Sequence, residues 1–308
     1  MSKKQKTLIV VLGPTAIGKT SMAIQLAQKL QTEIISADSR QFFKEMNIGT
    51  AVPSEEELAA AKHHFIQHIS IDENYSVGDF ERDAIQKINE LFVTKDALIV
   101  VGGSGLYVKA ITEGLDDFPE VEESVREDLK NELEENGIEK LQNELKEVDP
   151  FYYKQVQLDN PHRIIRALEV YRSSGKAFSS FLGKKKKERN FNCIFIGLEA
   201  PREKVYERIN LRVDLMMENG LLEEVKRLYP YKHLNALNTV GYKELFLHLD
   251  SEISLEKAVE EIKKNTRRFA KRQFTWFRNQ EELKWFDYTT SVESILKYIV
   301  SKMQKTTS

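Results

Sequence analysis

Gly13-Pro14-Thr15-Ala16-Ile17-Gly18-Lys19-Thr20 follows directly on the apolar run Leu8-Ile9-Val10-Val11-Leu12. The pattern G-x-x-x-x-G-K-[ST], set between a short buried strand and a helix starting near Lys19, predicts a phosphate-binding loop. Glycines let backbone N–H groups curl around an anion, and the following helix points the positive end of its dipole at the same place. Lys19 adds a mobile cation, and the Thr20 hydroxyl is a candidate ligand for Mg²⁺. A plain turn would account for the glycines and the proline, but not for all eight positions with both flanking elements. A di- or triphosphate, or a pyrophosphate group, is the expected ligand of Gly13 to Thr20.

A nucleotide-hydrolysing site needs a second apolar strand ending in an acid that holds Mg²⁺. The best candidate strand, Ala97-Leu98-Ile99-Val100-Val101, runs instead into Gly102-Gly103-Ser104-Gly105. A carboxylate does follow another strand, Glu33-Ile34-Ile35-Ser36-Ala37, which ends in Asp38. Read from position alone, Asp38 is either a base facing the phosphate loop or a capping acid of the turn Asp38-Ser39-Arg40-Gln41.

The 308 residues are 41% hydrophobic and 31% charged, enough for one large domain with an insertion or for two domains. The single cysteine, Cys193, excludes an internal disulfide and a cysteine-rich zinc site. The first apolar run is too short for a signal peptide or a membrane span, so a cytoplasmic protein without a membrane partner is expected. Net charge is only −2, yet charge is strongly segregated. Residues 116–149 hold fourteen acids and four bases, and 150–190 hold three acids and ten bases. A second basic block, Lys263, Lys264, Arg267, Arg268, Lys271, Arg272 and Arg278, has no acid among it. Such blocks suit a polyanionic partner, or else form solvated helix faces.

Strand and helix signals alternate through the first 110 or so residues: strands at 7–12, 33–37 and 97–101, helices near 19–30, 79–92 and from 104. That order predicts a parallel sheet covered on both faces, with ligands at the carboxyl ends of its strands, where Gly13, Asp38 and Gly102 fall. From Pro119 the pattern turns helical. Val121, Val125, Leu129 and Leu133 recur every four residues, Gly137 closes that helix, and Asn160-Pro161 to Gly175 is bounded by a cap and a stop. Lys184 to Lys187 reads as an exposed loop, and a strand at 191–197 returns to the sheet. A long helix from Arg202 to Leu228, breaking near Gly220, sets Arg208 and Arg212 on one face. A last helix, about 256–278, has an apolar stripe of Ala258, Ile262, Phe269 and Phe277. Its aromatics are assigned to the core and its bases to phosphates. The expected fold is thus α/β, a P-loop NTPase-like parallel sheet flanked by helices. Residues 1–115 and 191–308 form its discontinuous core, and 116–190 a helical insertion domain.

Several segments together resemble the tRNA dimethylallyltransferase (isopentenyltransferase) family in its bacterial form. They are GPTAIGKT (13–20), SADSRQ (36–41), IGTAVP (48–53), HH (63–64), YSVGDF (75–80), VGGSGLYVKA (101–110), DP (149–150), RIIRALEVYRSSGK (163–176), NGLLEEV (219–225), VGYKE (240–244) and AKRQFTWFR (270–278). They stand in the family's order over nearly the whole chain. Ser104 stands where threonine is usual and Phe43 replaces a common tyrosine. Gln67 replaces an acid after the histidine pair, and the zinc finger of eukaryotic members is absent.

The resemblance implies transfer of a dimethylallyl group from dimethylallyl diphosphate to the exocyclic amine of the adenosine 3′-adjacent to the anticodon of tRNA, with release of diphosphate. It implies Asp38 as general base, Ser104 orienting that carboxylate or the amine, and Arg212 on the leaving group. The diphosphate would lie on Gly13, Pro14, Thr15, Ala16, Ile17, Gly18, Lys19 and Thr20, with Mg²⁺ at Thr20. The anticodon stem-loop would meet Asp38, Ser39, Arg40, Gln41, Ser104, Arg126, His162, Arg163, Ile164, Ile165, Arg166, Lys271 and Arg272. A monomeric enzyme is expected. Two other classes share parts of this pattern. A small-molecule P-loop kinase needs neither the insertion nor the basic C-terminal helix. A P-loop RNA-binding protein without catalysis does not need Asp38 beside Lys19.

Overall fold

A computed structural model describes residues 5–183, 187–280 and 282–305. Lys184 to Lys186 of the expected lysine loop lie outside these. The chain divides into two compact units, Met1–Glu113 with Glu188–Ser308, and Gly114–Lys187.

The larger unit is a six-stranded parallel sheet. Its strands are β1 (Thr7–Leu12), β2 (Ile34–Ser36), β3 (His63–His64), β4 (Ala97–Val101), β5 (Asn192–Glu199) and β6 (Lys284–Asp287), in the order β3-β2-β4-β1-β5-β6. Before the smaller unit come α1 (Lys19–Leu30), α2 (Glu55–Ala60), α3 (Val77–Phe92) and α4 (Gly105–Thr112). The smaller unit holds α5 (Glu123–Asn136), α6 (Ile138–Val148), α7 (Pro150–Tyr153) and α8 (Pro161–Ser174). The larger unit resumes with α9 (Arg202–Glu218), α10 (Leu221–Leu228), α11 (Tyr242–Leu249), α12 (Leu255–Arg278) and α13 (Val292–Lys305).

β1 and β4 are buried along their whole length, as continuous apolar runs covered on both faces must be. Alternate residues feed two cores. Leu8, Val10, Leu98 and Val100 join Phe80, Ala84 and Ile88 of α3 and Ile262 and Phe277 of α12. Ile9, Val11, Ile99 and Val101 join Ala23 and Leu26 of α1, Val205 and Ile209 of α9, and Ile295 and Ile299 of α13. The break near Gly220 separates α9 from α10, with Gly220 at a left-handed φ of 94°. Phe269 corrects the expected apolar stripe of α12. It is 39% exposed, and the guanidinium of Arg272 lies 5.7 Å from its ring centre. The other aromatics of α12 pack inward: Phe277 is buried, and Phe274 stacks on Trp285 at 6.0 Å.

The helical unit has its own core of Leu129, Leu141, Leu145, Ile164, Leu168 and Val170. Asn160 caps α8 by accepting from the Arg163 N–H, Pro161 fills its first turn, and Gly175 ends it in the left-handed region.

Candidate active site

Register decides which residues meet. Ser36 of β2 lies beside Val101 of β4, which lies beside Val11 of β1. The chain leaving each strand therefore opens onto one crevice at the carboxyl edge of the sheet, the usual ligand position in such folds. From β1 comes the phosphate loop, from β2 Asp38, and from β4 the turn Gly102-Gly103-Ser104.

The loop is held from outside by three side chains. Arg208 of α9 donates through Nε to the Ala16 carbonyl at 2.6 Å, and Arg212 donates to the Thr15 hydroxyl at 3.3 Å. Gln273 of α12 accepts from the Thr15 N–H at 2.8 Å. Gly13, at φ 146°, has room only for a glycine, because a Cβ there would come within 2.7 Å of the Leu198 carbonyl oxygen. Lys19 Nζ donates to the Pro14 carbonyl at 2.8 Å, folded back over the loop it belongs to. Burial pulls its pKa down to about 8; nearby Asp38 opposes that shift and Arg212 adds to it.

Asp38 accepts from the Arg40 N–H at 3.2 Å. Burial raises its pKa above the ordinary carboxyl value, while that backbone bond and the charges of Lys19, Arg40 and Arg212 pull it back. A carboxylate made more basic by burial, yet ringed by cations, has the character of a general base.

Ser104 stands just before the first turn of α4 without capping it, and its hydroxyl lies 3.4 Å from the Ser39 hydroxyl and 3.5 Å from the Ser39 N–H. Its contacts are thus with Ser39, next to the carboxylate, rather than with Asp38 itself. Arg40 Nη1 donates to the carbonyls of Asn235 and Ala236 at 3.1 and 2.9 Å. Gln41 Nε2 donates to the carbonyls of Thr50 and Ala51. These two side chains brace the segment after Asp38. Thr20 is partly exposed on the first turn of α1.

Lys271 and Arg272 are exposed on α12. Arg268 and Arg278 are exposed too, whereas three bases of that block are more engaged: Lys263 pairs with Asp214 at 2.5 Å, Lys264 with Glu261 at 2.9 Å, and Arg267 donates to Asn210 at 2.7 Å.

In the helical unit, His162 and Arg163 are exposed on the first turn of α8. Ile164 and Ile165 are buried in that unit's core, which corrects the expectation that they touch RNA: the helix turns them inward. Arg126 grips the buried Glu169 through two bonds of 2.7 and 2.8 Å, and Arg166 meets the same carboxylate at 2.5 Å. Arg172 is fixed between Glu132 and Glu144. These three arginines have structural partners of their own.

Sequence reasoning missed two polar anchors. Buried Glu224 of α10 accepts from the N–H groups of Asn47, Ile48 and Gly49 at 3.1, 2.8 and 2.9 Å, and from the Tyr242 hydroxyl at 2.6 Å. It fastens the IGTAVP segment, and the only sequence signal was an acid in an otherwise apolar helix face. Gln273 is the other. The histidine pair proves to be an edge strand: His64 Nε2 lies 2.7 Å from Glu33 Oε2, and His63 Nδ1 lies 2.8 Å from the Ala61 carbonyl. Gln67 ties the turn next to it, its N–H donating to the Gln41 carbonyl at 2.8 Å.

The profile of the IPP transferase family matches residues 41–280. The chain belongs to the IPP transferase family. It is 63% identical to the tRNA dimethylallyltransferase of Christiangramia forsetii, over 96% of this chain and 98% of that one. It is 56% identical to that of Flavobacterium johnsoniae, over 97% and 99%. Among solved structures it resembles the tRNA isopentenylpyrophosphate transferase of Bacillus halodurans, with a TM-score of 0.72 and 36% identity over 98% of both chains. It also resembles a eukaryotic dimethylallyltransferase acting on tRNA, with a TM-score of 0.79 and 29% identity over 92% of this chain and 74% of that one. The P-loop NTPase-like fold expected from the sequence is the fold of this family.

Proposed function

We propose that this IPP transferase family member transfers a dimethylallyl group from dimethylallyl diphosphate to the exocyclic amine of the adenosine 3′-adjacent to the anticodon of tRNA. The observation that carries this reading is that Asp38 after β2 and the phosphate loop after β1 open onto the same crevice on either side of β4, whose own tip is a glycine turn where nucleotide hydrolysis would need an acid. The adenine amine attacks the allylic C1 carbon, the bond from C1 to the diphosphate oxygen breaks, and the amine proton passes to Asp38. The loop amides, Lys19 and Arg212 stabilise the charge that grows on the leaving diphosphate. Ser104 and Ser39 line the approach to Asp38. The adenosine is unstacked from the anticodon loop to reach the crevice. Exposed His162, Arg163, Lys271 and Arg272 supply phosphate contacts.

Among the described residues no cluster of three or more His, Cys, Asp or Glu could hold a metal. A donor set for Mg²⁺ would be the Thr20 hydroxyl with diphosphate oxygens and water, an arrangement usual for this ion. Bound there, Mg²⁺ would neutralise charge on the leaving group. No helix among the described residues is long and apolar enough to cross a membrane. We take the protein to work as a cytoplasmic monomer.

The test is incubation with undermodified tRNA and radiolabelled dimethylallyl diphosphate, with ATP hydrolysis followed in parallel. Label in the RNA is the expected result. ATP loss without label would make it a kinase, and RNA binding alone a non-catalytic binder.

A further inference from the structure

Gln273 sits on α12, on the inner face of the helix whose outer face carries Lys271 and Arg272, and only 6% of it is exposed. Its planar amide is used on both sides. Oε1 accepts from the Thr15 N–H at 2.8 Å, and Nε2 donates to the Gly103 carbonyl at 2.8 Å. One side chain thereby joins the phosphate loop after β1 to the turn after β4 that presents Ser104. The fit is close: a Cβ on Gly103 would come within 2.3 Å of Gln273 Nε2, and it would lie 3.9 Å from Asp38 Oδ2. The Thr15 N–H of the anion loop is thereby bonded to α12.

We propose that Gln273 is a positioning residue for the transfer reaction, one that sets the diphosphate loop and the Ser104 turn at a fixed separation. The inference rests on the function proposed above. A clamp of this kind touches no reacting atom. It acts on the distance between the leaving group, held by the loop, and the amine, held beside Asp38 and Ser104. Displacements of about 1 Å in such geometry cost on the order of 10²-fold in rate. The requirement is chemical as well as steric, because one amide must accept on one side and donate on the other.

Two variants test it in single-turnover transfer at saturating tRNA and dimethylallyl diphosphate, with folding followed by circular dichroism. Gln273→Met keeps the length and loses both hydrogen bonds. Its rate should fall about 10²-fold while its KM for tRNA stays within about twofold. Gln273→Glu keeps the acceptor toward Thr15, but its ionised form has no proton for Gly103. A protonated carboxyl restores both bonds, so the ratio of Gln273→Glu to wild-type rate should climb as pH is lowered from about 8 toward the range of a buried carboxyl. A wild-type rate in either folded variant, or a ratio that stays flat with pH, would overturn the proposal. Should Gln273→Met not fold, the Gln273→Glu ratio decides alone. Absence of transfer by the wild-type chain would instead count against the proposed function.

Discussion

Arg212 Nη1 donates to the Thr15 hydroxyl at 3.3 Å, bringing a guanidinium from α9 to the rim of the phosphate loop. Burial, and the nearby charge of Arg208, hold its pKa below the ordinary arginine value. With Lys19 it makes the crevice cationic, and in the proposed reaction both would meet the charge that develops on the diphosphate.

Removing either cation should cripple turnover. Lys19→Ala and Arg212→Ala are each expected to lower the single-turnover rate by about 10²–10³-fold. Near-normal transfer by Arg212→Ala would mean that its bond to Thr15 serves the loop's shape alone.

The pH dependence has two limbs. Lys19 is charged below its pKa of about 8, so kcat/KM for dimethylallyl diphosphate should fall as pH rises through that value. Asp38 must be ionised to accept a proton. Its raised pKa places the acid limb above the ordinary carboxyl range, with activity lost as pH falls through it. Lys19→Arg, which stays charged, should remove the alkaline limb and leave the acid limb in place. The check is the profile of kcat/KM measured from acid to alkaline pH.

The basic helix α8 divides into free and committed bases. Alanine at His162 and Arg163 should weaken tRNA binding. It should also lower the slope of log K against log salt by roughly 0.7–0.9 for each phosphate no longer neutralised. Arg172→Ala should leave the slope unchanged and cost about 1 kcal/mol of stability in urea unfolding, because Arg172 is bound to Glu132 and Glu144. Its hydrogen bonds draw the Glu132 pKa down to about 2. That contribution is fully present above the ordinary carboxyl range and is lost as pH falls toward about 2.

Glu224→Ala should destabilise the protein by about 3 kcal/mol in denaturant unfolding, since three backbone N–H groups and the Tyr242 hydroxyl would lose their acceptor. A change in activity without a change in stability would give Glu224 a direct part in the chemistry.

The residues legible from sequence were those fixed by local rules. Lys19 follows from an eight-residue pattern, and Asp38 and Gly102 from the ends of apolar strands. The edge strands were not legible. β3 is only two half-buried histidines, and the outer residues of β6, Lys284 and Asp287, are exposed, so neither carries an apolar run. Gln273 and Glu224 act across 258 and 175 residues, and nothing near them in the chain marks their partners. Arg126 reads as a free base because its acidic partner lies 43 residues away on another helix, whereas Arg166 and Glu169 stand three apart on α8, a spacing that does pair them.

The central claim is that Asp38 accepts the amine proton while Lys19 and Arg212 hold the departing diphosphate. The most direct test is single-turnover transfer by Asp38→Asn at saturating tRNA and labelled dimethylallyl diphosphate. Asparagine keeps the shape and can still hydrogen-bond, but it takes no proton. The expected result is undiminished binding of both substrates and a rate lower by about 10²–10⁴-fold. Transfer at close to the wild-type rate by Asp38→Asn would contradict the account and leave Asp38 a residue that positions the adenine or the turn.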